Sequence, residues 1–353
     1  MATPPPTPRI TALASAVPGG AIEGVFRHWA EGQIGDDRQR TLFARMADRS
    51  GISQRYSVLD GTGGLPDAAG FYARTPFPST ADRMAIFATA APELALQAIA
   101  GLGPLGSITH LVVASCTGFM APGLDQVLAR RLALDAGVER VFIGFMGCYA
   151  GVTALRTAGH IVRSDPAARV LVVTVELCTL HLQLSGDVES LLAMRQFADG
   201  AAAALVSAEG PGLALGGGIS RVLEDSADLI TWHVGDTGFG MHLSGAVPGR
   251  LAAALDDAAL ATVLAPAGVS AFAVHPGGRS ILDAVERGLH LPPEKLSASR
   301  AVLDQCGNMS SATVLFVLQR MWADRPDSGV ALAFGPGLAL EGLRFGWTDG
   351  HAG

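Results

Sequence analysis

The run Val141-Phe142-Ile143-Gly144-Phe145-Met146-Gly147-Cys148-Tyr149-Ala150-Gly151 decides the fold. It begins as an apolar strand, breaks at glycine, presents a cysteine, and continues in small residues that open a helix. A nucleophile-bearing elbow has this order, because glycines let backbone and substrate approach closely. Working outward, the strand Ile108–Val113 leads to Ala114-Ser115-Cys116-Thr117-Gly118 and a helical segment near Asp125–Leu134. The helix Tyr149–Arg163 and the strand Val170–Val175 follow.

A second block reads alike. The strand Val269–Val274 leads to His275-Pro276-Gly277-Gly278 and the helix Ser280–Leu289. Ala301–Gln305 takes the place of the first block's second strand, Gly307-Asn308 the place of Gly147-Cys148, and Ser310–Trp322 the helix. Gly329–Phe334 is the last strand. Cys116 and Cys148 lie 32 positions apart, His275 and Asn308 33. Such alternation predicts α/β units with buried, largely parallel strands. The matched spacing predicts an internal duplication about a pseudo-twofold axis, against the alternative that α/β chains resemble themselves by chance. Cys116, Cys148, His275 and Asn308 then fall at strand ends or helix starts, which face a shared crevice in open α/β sheets. We divide the chain into residues 1–225, carrying the cysteine, and 226–353, carrying the histidine and asparagine. Outside the blocks we expect helices at Ile22–Trp29, Asp37–Asp48 and Ala81–Ala100, a loop over 60–80 and a strand at Ala201–Val206.

Bulk properties exclude several classes. The 353 residues are 49% hydrophobic and 16% charged, with 44 glycines, and mean hydropathy is +0.35. Tightly packed buried helices fit these values better than a disordered or fibrous chain. The apolar run Val141–Leu155 is broken by three glycines and falls short of the ~20 residues that span a bilayer. The Pro-rich start, Met1–Arg9, has no apolar core of a signal peptide. We therefore expect a cytoplasmic, soluble protein with no integral membrane segment. A net charge of −7 does not suit a nucleic-acid binder. The four cysteines form no CxxC pair, and no His, Asp or Glu cluster has metal-ligand spacing. No glycine-rich phosphate loop occurs.

Each candidate residue has two readings. Cys148 is a nucleophile at a helix start, where the dipole favours a thiolate, or a buried structural cysteine. His275 takes a thiol proton or pairs with a thiolate, or is a satisfied core histidine. The Asn308 amide stabilises a developing enolate or oxyanion, or caps a helix, and the two are compatible. Gly335-Pro336-Gly337-Leu338 lends backbone N–H groups to an oxyanion or simply turns the chain.

Gly147-Cys148, His275-Pro276-Gly277-Gly278, Gly307-Asn308-Met309-Ser310-Ser311-Ala312 and Phe334-Gly335-Pro336-Gly337 together resemble the type III polyketide synthases, the chalcone synthase-like family. The likeness runs from about residue 40 to 345. A ketoacyl-carrier-protein synthase III is expected to carry Gln-Ala-Asn after the histidine, and a thiolase a second cysteine at position 308. The resemblance implies the thiolase fold, a duplicated five-layered αβαβα architecture, in a homodimer. It implies acyl-CoA and malonyl-CoA as substrates, no bound cofactor and no metal. Cys148 would carry the growing chain as a thioester, and His275 and Asn308 would polarise the malonyl thioester as CO2 leaves.

Single positions carry over as well. Phe197 resembles a gatekeeper that excludes water, or is ordinary core. Arg45 and Arg49 match basic residues that hold CoA phosphates, or form a solvated helix face. Cys116, Cys178, His181 and Ser310 match cavity-lining positions. Leu42 stands where plant members carry a third basic contact. Met241 stands near a second gatekeeper, which implies a roomier mouth. The segment Val175–Gln183 is most similar to bacterial alkylresorcinol and alkylpyrone synthases, implying a medium- or long-chain acyl starter. Three alternatives stay open: a short-starter or malonyl-only synthase making small phenolics or naphthalenes, which Cys116 favours; a thioester hydrolase; and a non-condensing partner subunit.

Overall fold

The computed structural model describes residues 6–350; the first five residues of the expected Pro-rich start, and the last three of the chain, lie outside them. The strands in chain order are β1 (Arg9–Ala16), the short pair β2 (Gly20–Ala21) and β3 (Tyr56–Ser57), β4 (His110–Ser115), β5 (Glu139–Gly144), β6 (Val170–Leu177), β7 (Asp199–Ser207), β8 (Gly212–Val222), the hairpin β9 (Ile230–Gly235) and β10 (Gly238–Leu243), β11 (Ala271–Val274), β12 (Gly329–Gly335) and β13 (Ala339–Thr348). Nine of them follow the order β11-β12-β13-β8-β1-β7-β6-β4-β5.

That order reads as two halves meeting at β1 and β8, which pair through only Arg9↔Ala214 and Ile10↔Leu213. Strand alternation sorts the side chains into three cores. In β6, Leu171, Val173 and Val175 pack with Phe87 and Leu94 of the helix Thr80–Ala100. Val170 and Val172 face the other way, onto the helices Ala150–Ser164 and Thr313–Arg320. In β12, Ala331 and Ala333 join that same central core. Val330, Leu332 and Phe334 join a third core with the helices Val247–Leu255 and Arg279–Gly288. Helix, sheet, paired helices, sheet, helix: the five layers of the thiolase fold follow from strands that are apolar on both faces.

Three expectations need correction. The strands are not largely parallel. Only β4–β5, β4–β6 and β11–β12 run parallel, and the other pairs of the sheet are antiparallel. The segment Ala301–Gln305 lies inside the helix Ser297–Cys306, so the second half replaces its counterpart of β5 with a helix. Ser297–Cys306 contains good helix formers and one β-branched residue, whereas β5 has Val, Phe and Ile in succession. The loop expected over 60–80 also contains a short helix, Ala68–Tyr72, capped by the Asp67 carboxylate.

Candidate active site

The elbow forms, with one more turn than the sequence predicts. Gly147 at φ +76° leaves β5 into a 3-10 turn, Gly147–Tyr149, and the helix begins at Ala150. A Cβ on Gly147 would lie 2.5 Å from the Pro336 ring, so this site demands glycine twice over, for conformation and for space. The matching Gly307 has φ +72° and delivers Asn308 in the same way. Asn308 is held on both backbone sides, by its N–H to Gln196 O at 2.8 Å and its C=O from Ala198 N at 2.9 Å. This bridge fixes Phe197 beside it.

One narrow cavity of about 50 Å³ is lined by Cys148, His275, Asn308, Ser310, Phe197 and Met241, among others. The four strand-end residues of the duplication thus converge, although Cys116 sits behind this wall. Its thiol lies 3.2 Å from Ser310 Oγ and 3.3 Å from Glu176. The Asn308 amide holds the turn that follows it. Its Oδ1 accepts from Ser310 N at 2.9 Å, and Nδ2 donates to Gly277 O at 3.2 Å. An amide nitrogen carries two hydrogens, and the second serves the Cys148 sulfur.

His275 is fully buried, and neither ring nitrogen has a hydrogen-bond partner. Burial lowers its pKa to about 3 and raises that of Cys148 to about 11, against the hydrogen bonds from Ser310 and Asn308. Burial thus favours the neutral form of each group taken by itself, because desolvation opposes the charged form of each.

A second cavity, about 210 Å³, shares Phe197, Trp232 and Met241 with the first. Cys178 and His181 line it. His181 stacks on Phe239 at 4.1 Å and 10°. Its Nδ1 accepts from Phe239 N at 3.1 Å, which leaves Nε2 to donate to Thr117 O at 2.6 Å. Burial holds this imidazole neutral too, with a pKa near 3. Met241 lies opposite Trp232 in the β9–β10 register, so a large ring faces the flexible methionine at the mouth.

Away from the thiol, a middle pocket of about 550 Å³ shares Leu243, Val247 and Ile281 with the inner cavity. It shares Met46, Gln196 and Ser280 with an outer pocket of about 500 Å³. Arg49 lines the outer pocket, whereas Arg45 is exposed and lines neither. Gly335 and Pro336 line the inner cavity. Gly337 lies one residue beyond, its carbonyl accepting from Ser226 at 3.2 Å.

Sequence reasoning missed Glu176, Trp232 and Phe239. Glu176 is fully buried and accepts from Cys116 N at 3.0 Å, Thr117 Oγ1 at 2.8 Å, and Ser311. It therefore ties the end of β4 to the turn that carries Ser310. Burial raises its pKa, and these hydrogen bonds oppose the rise. Its signal was a lone acid in the apolar strand Val170–Leu177.

A buried thiol, imidazole and amide at the junctions of a duplicated five-layer fold define a thiolase-fold condensing enzyme. Residues 10–210 match the N-terminal domain of chalcone and stilbene synthases and residues 214–346 the C-terminal domain, and the chain belongs to that family, the type III polyketide synthases. Members are acyltransferases acting by decarboxylative condensation. The chain is 33% identical over 332 residues, 88% of its length and 83% of the relative's, to the "alpha-pyrone synthesis polyketide synthase-like Pks18" of Mycobacterium tuberculosis. Among solved structures it resembles the type III domain of Steely1, a type I/III hybrid from Dictyostelium, with TM-score 0.86 and 27% identity over 97% of this chain and 99% of that one. It also resembles PKS-I from the brown alga Ectocarpus siliculosus, with TM-score 0.88 and 29% identity over 99% and 100%. No helix among the described residues is long and apolar enough to cross a membrane.

Proposed function

We propose that the protein condenses an acyl-CoA starter with malonyl-CoA and cyclises the product to an alkylpyrone or alkylresorcinol, in the cytoplasm. The observation that carries the chemistry is His275, a buried imidazole with both nitrogens unpartnered in the cavity of Cys148 and Asn308. An orphaned buried donor and acceptor costs stability, and a reacting ligand accounts for it.

Cys148 attacks the acyl-CoA carbonyl while His275 takes the thiol proton. CoA leaves as a thiol and the acyl group stays on sulfur. Malonyl-CoA then presents its thioester oxygen to His275 and the Asn308 amide, whose N–H turns from the acylated Cys148 sulfur to that oxygen. Charge developing on that oxygen is stabilised as the carboxylate departs as CO2. The enolate carbon attacks the acyl-Cys148 carbonyl, expelling the Cys148 sulfur and leaving a chain longer by two carbons on CoA. Phe197 and Met241 exclude water from this step. Hydrogen-bond donors supply all the stabilisation required, so we propose that no metal or cofactor takes part; dialysis against EDTA is expected to leave turnover unchanged.

The apolar cavity beside Cys178 supports a medium- or long-chain starter, and the named activity of the mycobacterial relative supports a pyrone. The Trp232–Phe239 pair across it, with ring centroids 6.2 Å apart, favours the second reading, a short starter. Mass spectrometry of products from malonyl-CoA with a ladder of acyl-CoA starters decides between them. Extended pyrones or resorcinols that rise with starter length support the first, products from malonyl-CoA alone the second, and free acid alone overturns both.

The edge strand β5 exposes Val141 and Phe142, and Phe119 and Phe145 are exposed as well. An apolar, unpaired edge of this kind supports a homodimer. Sedimentation is expected to give a dimer, and Phe142→Arg to weaken it.

A further inference from the structure

Arg55 is fully buried, and its contacts converge on two segments of the inner cavity. Nε donates to Glu23 Oε2 at 2.8 Å, and Nη1 donates to Phe197 O at 2.5 Å. The stem runs past Gly307, where an added Cβ would meet Arg55 Cγ at 3.0 Å. The guanidinium also stands 4.6 Å from the centre of the Phe26 ring. Glu23 opens the helix Glu23–Gln33 and gives its other oxygen to Arg195 Nη2 at 2.6 Å. One carboxylate thus braces two guanidiniums, one bonded to the Phe197 carbonyl and one two residues before Phe197 in the chain.

The Phe197 backbone is tied on its other sides by neutral groups. Gln196 O and Ala198 N bond to Asn308, and Phe197 N donates to Met194 O at 3.2 Å. The carbonyl is left to Arg55. A backbone fixed in this way limits the rotamers of its ring. Phe197 lines both the inner and the second cavity, so a tilt of its backbone changes the walls of both. A guanidinium is a costly donor to bury, and Arg55 Nη2 has no hydrogen-bond partner to offset that cost. An apolar side chain of similar volume often leaves a fold as stable. What it could not supply is a charge-assisted bond, which holds a carbonyl about twice as strongly as a neutral one.

Resting on the condensation reading above, we propose that Arg55, braced by Glu23, is a positioning residue for Phe197. It aims the ring that keeps water from the acyl group on Cys148, and so sets how that group divides between extension and hydrolysis. In hydrolysis water attacks the acyl carbonyl, the C–S bond breaks, and the free acid leaves as the sulfur regains its proton. Arg55→Met tests this, since it keeps an apolar stem beside Gly307, removes the donors, and leaves Glu23 and Arg195 as a one-to-one pair. Two readouts separate the assignment from the reading on which it rests. The first is the lifetime of the acyl-enzyme without malonyl-CoA, followed by intact-protein mass spectrometry, which requires no condensation. Arg55→Met is expected to shorten it about tenfold, and Arg55→Lys to recover part of the loss. The second is the ratio of free acid to extended product with malonyl-CoA present, from which the fraction of folded protein cancels. Arg55→Met is expected to raise it about tenfold on the wild-type background and to add nothing to Phe197→Leu, because Arg55 acts through that ring. Glu23→Gln, at a partly exposed position, is expected to move both readouts the same way by about threefold, and it decides the matter should Arg55→Met fail to fold. An unchanged lifetime or ratio, or effects that multiply in the double variant, overturns the proposal. A wild-type protein whose acyl-enzyme shows this arginine dependence yet extends nothing supports the positioning role and overturns the condensation reading instead.

Discussion

The two glycine junctions, Gly147-Cys148 and Gly307-Asn308, use one backbone device for two chemistries. Both glycines sit at φ near +70°; Gly147 opens a 3-10 turn, Gly307 comes three residues before one, and both turns run into a helix of the central layer. The surroundings differ. Gly147 follows a true strand and abuts a proline ring, while Gly307 follows a helix and abuts the flexible stem of Arg55 at 3.0 Å. Duplication supplied a repeated way to aim a side chain at the midline. The two halves then differ in what that device carries, a thiol on one side and an amide on the other.

The largest expected effect separates those roles. Cys148→Ala is expected to lower condensation by about 10⁴-fold or more and to abolish the acyl-enzyme seen by intact-protein mass spectrometry. Asn308→Ala is expected to keep the acyl-enzyme but slow decarboxylation by about 10²–10³-fold, read as CO2 release from malonyl-CoA. Equal loss of loading in both variants would break the division of labour.

The backbone device itself is tested by stability. A Cβ on Gly151 would fall 2.2 Å from Ser311 O, where the two halves meet. Gly151→Ala is expected to cost about 3 kcal/mol in urea unfolding. Gly307→Ala is expected to cost about as much, about 3 kcal/mol, because its φ of +72° strains any side chain and the new Cβ would meet the buried Arg55 stem at 3.0 Å and Gln196 O at 3.1 Å.

The smallest effect concerns the buried imidazoles. A histidine whose folded pKa lies near 3 binds its proton in the unfolded chain first. Its stabilising contribution is complete above about pH 6.5 and is lost as pH falls toward 3. Asp199, raised to about 6 by burial, works the opposite way between about pH 6 and 4. The variant therefore isolates the histidine better than the wild-type slope does. His181→Gln is expected to remove about 1.4 kcal/mol per pH unit of acid sensitivity between pH 6 and 4.

Local chemistry decided what the sequence could disclose. The helix Asp37–Asp48 is legible to the residue because Asp36 caps it through Gln39 N. Val170–Val175, all of β6 but its last two residues, is legible because a strand buried on both faces is mostly apolar. Strands β1, β8 and β13 are not, being rich in alanine and glycine. Their state is set by partners far along the chain, such as Ala14 against Ala203. In the same way, Cys148, His275 and Asn308 stand out because glycines flank them, and the structure brings them into one cavity. Arg195 and Arg279 look like ordinary surface charges until folding sets them around one pocket.

The segment from His275 to Ile281 spans all three pockets of the entry route. On the proposed reading it would act as a fixed ruler, its length setting how far a thioester carbonyl lands from the far end of its carrier. The second cavity, beside Cys178 and His181, lies off this ruler. Changes there can retune which chains are built without recalibrating how every substrate is delivered, so product size and substrate handling are free to evolve separately.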